Sequence, residues 1–316
     1  MPSYSALKRQ AYSAGTMAAL ALPHFGSAAI TVDGSRDLDY GPALAVQTVQ
    51  TQFGDNFNEW NAGYARVLNG ALYLMLTGNL EANFNRLNVF IDSKSGGQSV
   101  IASATNPGND GWASSYNGFT FDDAFTADYL FIMRQGNDGG VDKFDLDYAV
   151  VGGGASSADF FGDVFGGSGQ GTATTLAGVN LGQSFSIGFN NSNTAGVTGG
   201  SGTADPLAAQ AVMTGIEMGI PLAALGNPVL GDSIRISVMQ NNQGHNYLAN
   251  QILGGLPAPQ GNLGGDGNGG FNGNVSAINL NNFAGDQFFT VFVPEPSTWA
   301  LAGFGLASLL AFRRRR

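Results

Sequence analysis

The body of the chain, from Ile30 to Val293, has no long stretch with a helical hydrophobic period, and this absence constrains its fold most. In its place the sequence shows short apolar or alternating runs that are rich in β-branched and aromatic residues. About ten such runs, separated by turn residues, predict an all-β fold, an antiparallel β-sandwich with Gly/Asn-rich loops. The runs are 43–53, 64–68, 71–77, 86–91, 129–134, 144–151, 185–189, 214–220, 234–239 and 288–293.

Glycine separates these runs, with 48 glycines among 316 residues. That is roughly twice the ordinary share and favours many tight turns. Asn69-Gly70 predicts a type I′ hairpin, because both residues accept a positive φ. Asp205-Pro206 predicts a short helix through Ala211, with Asp205 as its N-cap.

The charge and the residue types exclude several classes of function. The formal net charge is −10, and six of the 13 basic residues lie in the two ends, so the body alone is more acidic than the whole chain. Such a surface repels phosphates, which predicts no binding to nucleic acid. The chain has no cysteine, which excludes disulfides, thiolate zinc sites, iron–sulfur clusters and cysteine nucleophiles.

The first 29 residues have the three parts of a secretory signal peptide. Lys8 and Arg9 are basic, residues 11–22 are mostly apolar, and small residues precede Ile30. We therefore expect a signal helix that signal peptidase removes after Ala29 or after Ala28. An amphipathic first helix of the folded body is the alternative interpretation. No twin-arginine pair is present, which favours the general secretory route.

The last residues have the composition of a membrane-stop segment. No charge occurs from Trp299 to Phe312, and a 16-residue helix counted from Ser297 would be about 24 Å long. This predicts a single transmembrane helix with Trp299 at one interface and arginines holding the other end inside. A buried C-terminal helix is the alternative. The arginines that follow are Arg313, Arg314, Arg315 and Arg316.

A run of Val293-Pro294-Glu295-Pro296, followed by the apolar span and the arginines, resembles the PEP-CTERM sorting signal of Gram-negative bacteria. The resemblance implies that an exosortase, a membrane protease, recognises the Pro-Glu-Pro and processes the protein. It also implies a signal peptide at 1–29, an exported body at 30–293 and a sorting signal at 294–316, with transient anchoring in the inner membrane. The expected processing residues are Ala29, Pro294, Glu295 and Pro296.

A second resemblance concerns the body. In order, its strand-like segments resemble those of DOMON-like and related sugar-binding β-sandwich modules, which implies a jelly-roll or DOMON-like sandwich. The aromatic and calcium-binding residues of that family have no residue-by-residue counterparts here. One domain is the favoured division, with a split near Gly152 as the alternative. The segments are 30–34, 72–77, 87–92, 217–222 and 231–235.

The candidate catalytic and metal-binding residues are few. His245 is the one histidine of the body and lies in a polar stretch, so we expect it to face solvent or to be bonded within a turn. Asp145 and Asp147 alternate on one predicted strand and share a face. Such a pair suits calcium, a glycosidase pair or a solvated strand face. The calcium candidates are Asp138, Asp142, Asp145, Asp147 and Asp266.

These features favour a non-catalytic structural or adhesive protein of the cell surface or extracellular matrix. A carbohydrate-binding module is the second hypothesis, and a surface glycan hydrolase is the third. Exposed Trp60 and Trp112 would favour the second, and two carboxylates facing each other in a cleft would favour the third. No cofactor other than calcium is expected. The expected partners are signal peptidase, an exosortase-type protease, and either extracellular polysaccharide or further copies of the chain.

Overall fold

The computed structural model describes residues 29–294, in which thirteen strands form two antiparallel sheets that pack face to face. The predicted all-β sandwich is therefore confirmed. In chain order the strands are β1 (Ala45–Val46), β2 (Glu59–Leu68), β3 (Ala71–Asn79), β4 (Asn83–Asp92), β5 (Tyr129–Asp138), β6 (Val141–Val150), β7 (Ala158–Phe161), β8 (Gly171–Ala177), β9 (Ser184–Phe189), β10 (Gly215–Pro221), β11 (Ser233–Asn241), β12 (Leu248–Leu253) and β13 (Phe289–Phe292).

The first sheet has the strand order β1-β2-β3-β10-β9-β8, and the second has the order β12-β11-β4-β5-β6-β7. β13 also pairs with β11 and lies beside the half of that strand that β12 leaves open. The α-helices of the described residues are short: α1 (Trp112–Ser115) and α2 (Pro206–Ala211). Single 3-10 turns occur at Leu38–Tyr40, Ser103–Thr105, Asn109–Gly111, Leu222–Leu225 and Leu280–Asn282.

Two local predictions are confirmed. β2 and β3 form a hairpin whose turn is Asn69-Gly70, with φ values of 50° and 79°. The Asp205 side chain accepts hydrogen bonds from the backbone N–H groups of Leu207 and Ala208, which caps α2. Both features depend on residues close together in the chain, and so the sequence alone is sufficient to predict them.

The main core lies between the two sheets. Leu72, Leu74 and Leu76 project from β3 towards the second sheet, and they are completely buried. Val89 and Ile91 project from β4 into the same core. Burial of each such side chain contributes about 1.5–3 kcal/mol, so this interface supplies most of the apolar stabilisation.

The second sheet is also covered on its outer face. Phe90 of β4 and Ile132 of β5 project away from the first sheet, and yet both are completely buried. Residues 101–127 and 256–280 form the cover and contribute Trp112 and Tyr116 among other buried side chains. Because both faces are buried, β5 begins in the sequence with a continuous apolar run, Tyr129 to Met133, without alternation.

The residues just after the predicted signal peptide cross the outer face of the first sheet. Residues 30–34 form no strand there, although the likeness to DOMON-like modules implied one. Asp33 and Gly34 donate backbone hydrogen bonds of 2.8 and 3.1 Å to the carboxylate of Glu217 on β10. The Tyr40 hydroxyl donates to the same carboxylate at 2.8 Å. Glu217 thus holds this segment against the sheet.

No helix within residues 29–294 is long and apolar enough to cross a bilayer. The predicted signal helix, and the predicted transmembrane helix between Trp299 and Phe312 with its arginines, lie outside the described residues.

Candidate functional site

Two candidate calcium ligands, Asp145 and Asp147, do share one face of β6, where they meet an arginine. Arg134 on the neighbouring strand β5 lies 2.5 Å from Asp147 Oδ2 through Nη1, and 3.6 Å from Asp145 Oδ2 through Nε. Asp147 also accepts a hydrogen bond of 3.1 Å from the Asn109 side chain. The guanidinium therefore occupies the position beside this pair that a cation would need.

The other calcium candidates lie apart from this pair. Asp138 forms an ion pair of 2.6 Å with Lys143, and Asp142 accepts a hydrogen bond of 2.8 Å from Asn137. Asp266 accepts hydrogen bonds from the backbone N–H groups of Asn268 and Gly270, both within its own glycine-rich loop. Among residues 29–294, no three His, Asp or Glu side chains are grouped to hold a metal ion. Calcium binding therefore stays a prediction.

A buried ionic cluster, here called the Asp110 network, joins the outer face of the second sheet to its cover. Asp110 accepts two hydrogen bonds of 2.7 Å from Arg86 and lies 3.2 Å from Arg134 Nη1. Its third partner is His245 Nε2, at 3.0 Å. Burial raises the pKa of Asp110, but Arg86, His245 and Arg134 together outweigh burial and hold the pKa well below its ordinary value.

The prediction that His245 faces solvent is wrong, because the side chain is completely buried within the Asp110 network. Nδ1 lies 3.4 Å from the Asn88 side-chain nitrogen, which donates, so Nε2 carries the proton that Asp110 accepts. Burial lowers the pKa of His245 and outweighs the opposing effect of Asp110. His245 is thus a neutral side chain that links Asn88 to Asp110 by hydrogen bonds. Its partner Asp110 lies 135 residues away in the chain, where local sequence gives no sign of it.

The described residues also contain an open cleft, here called the amide cleft, at the end of the sandwich where β3 leads into β4. Its volume is about 650 Å³. Four asparagines and one glutamate are among the nine residues that line it. The lining residues are Asn56, Phe57, Asn79, Glu81, Ala82, Asn191, Ser192, Asn193 and Thr194.

A second carboxylate behind the cleft fixes its walls. Glu59 is completely buried and accepts hydrogen bonds from Asn56 N–H at 2.8 Å and from the Asn193 side chain at 3.1 Å. Asn193 also donates to Asn79 Oδ1 at 2.8 Å. Burial raises the pKa of Glu59, although the hydrogen bonds from Asn61 and Asn56 oppose this effect. The amides are therefore held in place before any ligand arrives.

Glu81 and Phe57 give the amide cleft a free carboxylate oxygen and an aromatic face. Glu81 accepts from the side chains of Asn58 and Asn83, both through Oε2, which leaves Oε1 without a donor from the described part of the chain. The Phe57 ring is 59% exposed at the mouth of the cleft. Its backbone is fixed by a hydrogen bond of 3.1 Å from Phe57 N–H to the Gly54 carbonyl. The site thus combines hydrogen-bonding groups with one exposed aromatic face.

The two tryptophans considered as sugar platforms are both completely buried. The Trp60 indole donates to Gln240 Oε1 at 2.8 Å inside the core, and Trp112 packs edge-on against Phe90. Neither ring is available for stacking. The exposed ring of the amide cleft is Phe57, which the sequence did not single out because it lies in a polar turn that no apolar pattern marks.

Comparison with known families identifies the C-terminal segment. The PEP-CTERM protein-sorting motif matches residues 292–316, which confirms the sorting signal predicted from 294 onwards. The motif begins at Phe292, the last residue of β13, so the sorting segment leaves the sandwich directly from a strand. Of the expected processing residues, Ala29 and Pro294 bound the described structure, whereas Glu295 and Pro296 lie outside it.

Searches among curated proteins and among solved structures found no match to the chain. The likeness of the body to DOMON-like modules gains no support from these comparisons.

Proposed function

The chain carries a PEP-CTERM sorting motif and is an exported, cell-surface-directed substrate of exosortase, and from this premise we propose that its body binds a neutral glycan in the amide cleft. The role is non-catalytic and adhesive. The observation that carries the proposal is the combination of fixed amides, one open carboxylate oxygen and the exposed Phe57 ring in one cleft.

The chemistry of the lining suits a sugar. Asn and Glu side chains pair with hydroxyl groups as donors and acceptors, and an aromatic face packs on the C–H face of a pyranose ring. A volume of about 650 Å³ falls within the usual range of small-molecule sites. Since Glu59 holds the Asn56 backbone and the Asn193 side chain in place, binding incurs little cost for ordering this part of the wall.

The charge favours a neutral ligand. No lysine or arginine lines the amide cleft, and Glu81 places a carboxylate in it. The chain as a whole carries a net charge of −10. An anionic polysaccharide would meet repulsion both at the cleft and at a distance.

The carboxylates favour binding over hydrolysis. A glycosidase needs two carboxyl groups that flank the scissile bond, typically about 5–10 Å apart. Glu81 lines the cleft, but both oxygens of the buried Glu59 are engaged by Asn56, Asn61 and Asn193. Glu59 therefore supports the wall of the cleft, and Glu81 is the one carboxylate of the cleft that contacts the ligand.

The test is retention of the mature protein on a panel of immobilised neutral polysaccharides. Phe57→Ala should weaken retention about tenfold, which corresponds to the loss of about 1.4 kcal/mol of stacking. The matched control is Phe160→Ala, since Phe160 is also 59% exposed but lies on the edge strand β7. It should leave retention unchanged.

Retention on none of the neutral glycans, or equal losses in the two variants, contradicts the proposed site. Release of reducing ends that Glu81→Gln abolishes would establish a hydrolase and overturn the non-catalytic role.

A further inference from the structure

Exposed apolar side chains surround the point where the chain leaves the sandwich. Val229 and Leu230, at the tip of the loop before β11, are 64% and 55% exposed. Phe292, two residues before Pro294, is 65% exposed. Loop tips are usually polar, so an adjacent Val-Leu pair in water is unfavourable unless a partner covers it.

A groove of about 380 Å³ runs beside this exit. It is mostly apolar and has no charged residue in its lining. The lining residues are Val67, Asn69, Gly70, Leu222, Pro228, Val229, Leu230, Val293 and Pro294.

The loop that carries the apolar tip is fixed to the exit strand. Gly231 N–H donates to the Val293 carbonyl at 3.0 Å, and Val293 N–H donates to the Asp232 carbonyl at 2.9 Å. The Asp232 carboxylate accepts from Val229 N–H at 2.7 Å and closes the turn. The two apolar side chains are thus held in a defined position relative to the outgoing chain.

The short segment between Pro294 and the predicted membrane span limits how far this end of the sandwich can lie from the bilayer. Trp299, the first residue of the predicted membrane span, lies five residues after Pro294. Five residues reach at most about 18 Å when fully extended. If the span enters the bilayer at Trp299, as the sequence predicts, the groove lies within that distance of the lipid headgroups.

We infer that, while the sorting signal is attached, this end of the sandwich docks on the lipid surface with Val229 and Leu230 inserted at the headgroup boundary. The uncharged groove and the acidic body suit neutral lipid headgroups. Docking fixes Pro294, and with it the start of Pro-Glu-Pro, at a set height above the membrane. The inference rests on the predicted span and is independent of the amide cleft.

The cleft lies at the other end of the same strands. Gly70 lines the groove and Asn79 lines the amide cleft, and the nine residues of β3 separate them by about 30 Å. A sandwich docked at the exit therefore presents the cleft away from the membrane.

The absence of cysteine makes a direct test possible, because a single introduced cysteine is the only thiol to label. Full-length Leu230→Cys, labelled with bimane, is reconstituted in phosphatidylcholine vesicles that contain doxyl-labelled lipid. The control is Phe57→Cys, since Phe57 is similarly exposed (59% against 55%) but lies at the opposite end of the β2–β3 hairpin. Thermal melts confirm that both labelled proteins are folded.

We expect the lipid quencher to reduce the fluorescence at position 230 at least threefold more than at position 57. Equal quenching at both positions overturns the inference. It is also overturned if position 230 is shielded only in membranes that contain exosortase, because the occupant would then be the protease.

Discussion

Glu217 should make the stability of this protein fall as the pH rises. The side chain is completely buried on β10. Burial raises its pKa from 4.5 to about 7, although hydrogen bonds from Asp33, Tyr40 and Gly34 favour the charged form. A carboxyl whose pKa is higher in the folded than in the unfolded chain stabilises the fold fully below the unfolded-state value. This contribution is lost as the pH rises through about 7.

The magnitude follows from the difference between the two pKa values. Each pKa unit corresponds to 1.36 kcal/mol, so the charged Glu217 costs about 3 kcal/mol above pH 7 relative to the protonated form. Glu217→Gln removes the charge and keeps an oxygen that can accept from Asp33 and Gly34. We expect the variant to exceed the wild type in unfolding free energy by up to about 3 kcal/mol at pH 8.5, and to match it near pH 4.5.

Urea unfolding followed by tryptophan fluorescence at the two pH values measures this difference. Asp286→Asn, at an exposed position, is the control and should change the unfolding free energy by less than about 0.5 kcal/mol at both. A Glu217→Gln protein that is less stable than the wild type at pH 8.5, or a difference that does not vary with pH, would refute the reasoning.

Three further predictions concern the Asp110 network and the chain ends. Asp110→Ala removes the carboxylate partner of the buried Arg86 and should lower the unfolding free energy by about 3–5 kcal/mol in urea titrations; a loss below about 1 kcal/mol contradicts this. Because the pKa of buried His245 is lowered, the contribution of His245 to stability should fall as the pH drops below about 6.5, so the wild type should lose unfolding free energy relative to His245→Gln as the pH is lowered; a difference between the two proteins that does not vary with pH contradicts it. The secreted protein should begin at Ile30 or Ala29 and lose its tail near residues 294–298 only in a host with an exosortase; an intact mass that retains both ends contradicts this.

Sequence patterns predicted the parts of the fold that depend on neighbouring residues. Asn69-Gly70 and the Asp205 cap lie within a few residues of the groups they contact. Most of the apolar strands followed from their β-branched and aromatic composition. The signature of the fourth strand was the short run 86–91, in which Leu87, Val89, Phe90 and Ile91 are apolar.

The strands that the sequence did not predict lack that signature. β8 has one large apolar residue, Leu176, in a run of glycine, threonine and alanine. β12 carries Asn250 and Gln251 at its centre, and both are completely buried. The Asn250 amide donates to the carbonyls of Gln50 and Gln260. Tertiary partners 200 and 10 residues away satisfy this amide, so its polar character gives no indication of its burial.

The amide cleft is a similar case. Its walls come from turns around residues 56, 81 and 192, which are distant in the chain and mostly polar. Asn, Ser and Glu in turns are ordinary, and only the fold brings them to one site. The outward position of Phe57 was equally hidden, because a phenylalanine is buried more often than not.

The hydrogen bonds between Glu217 and the segment after the predicted signal peptide have a consequence for the time at which this protein can fold. Asp33 and Glu217 are 184 residues apart, and Trp60 and Gln240 are 180 apart. During export the N-terminal residues emerge first, and Asp33 and Trp60 cannot make these contacts until β10 and β11 have crossed as well. Structures that depend on such distant pairings form slowly. The topology therefore delays the closing of the sandwich until its last strands have been exported.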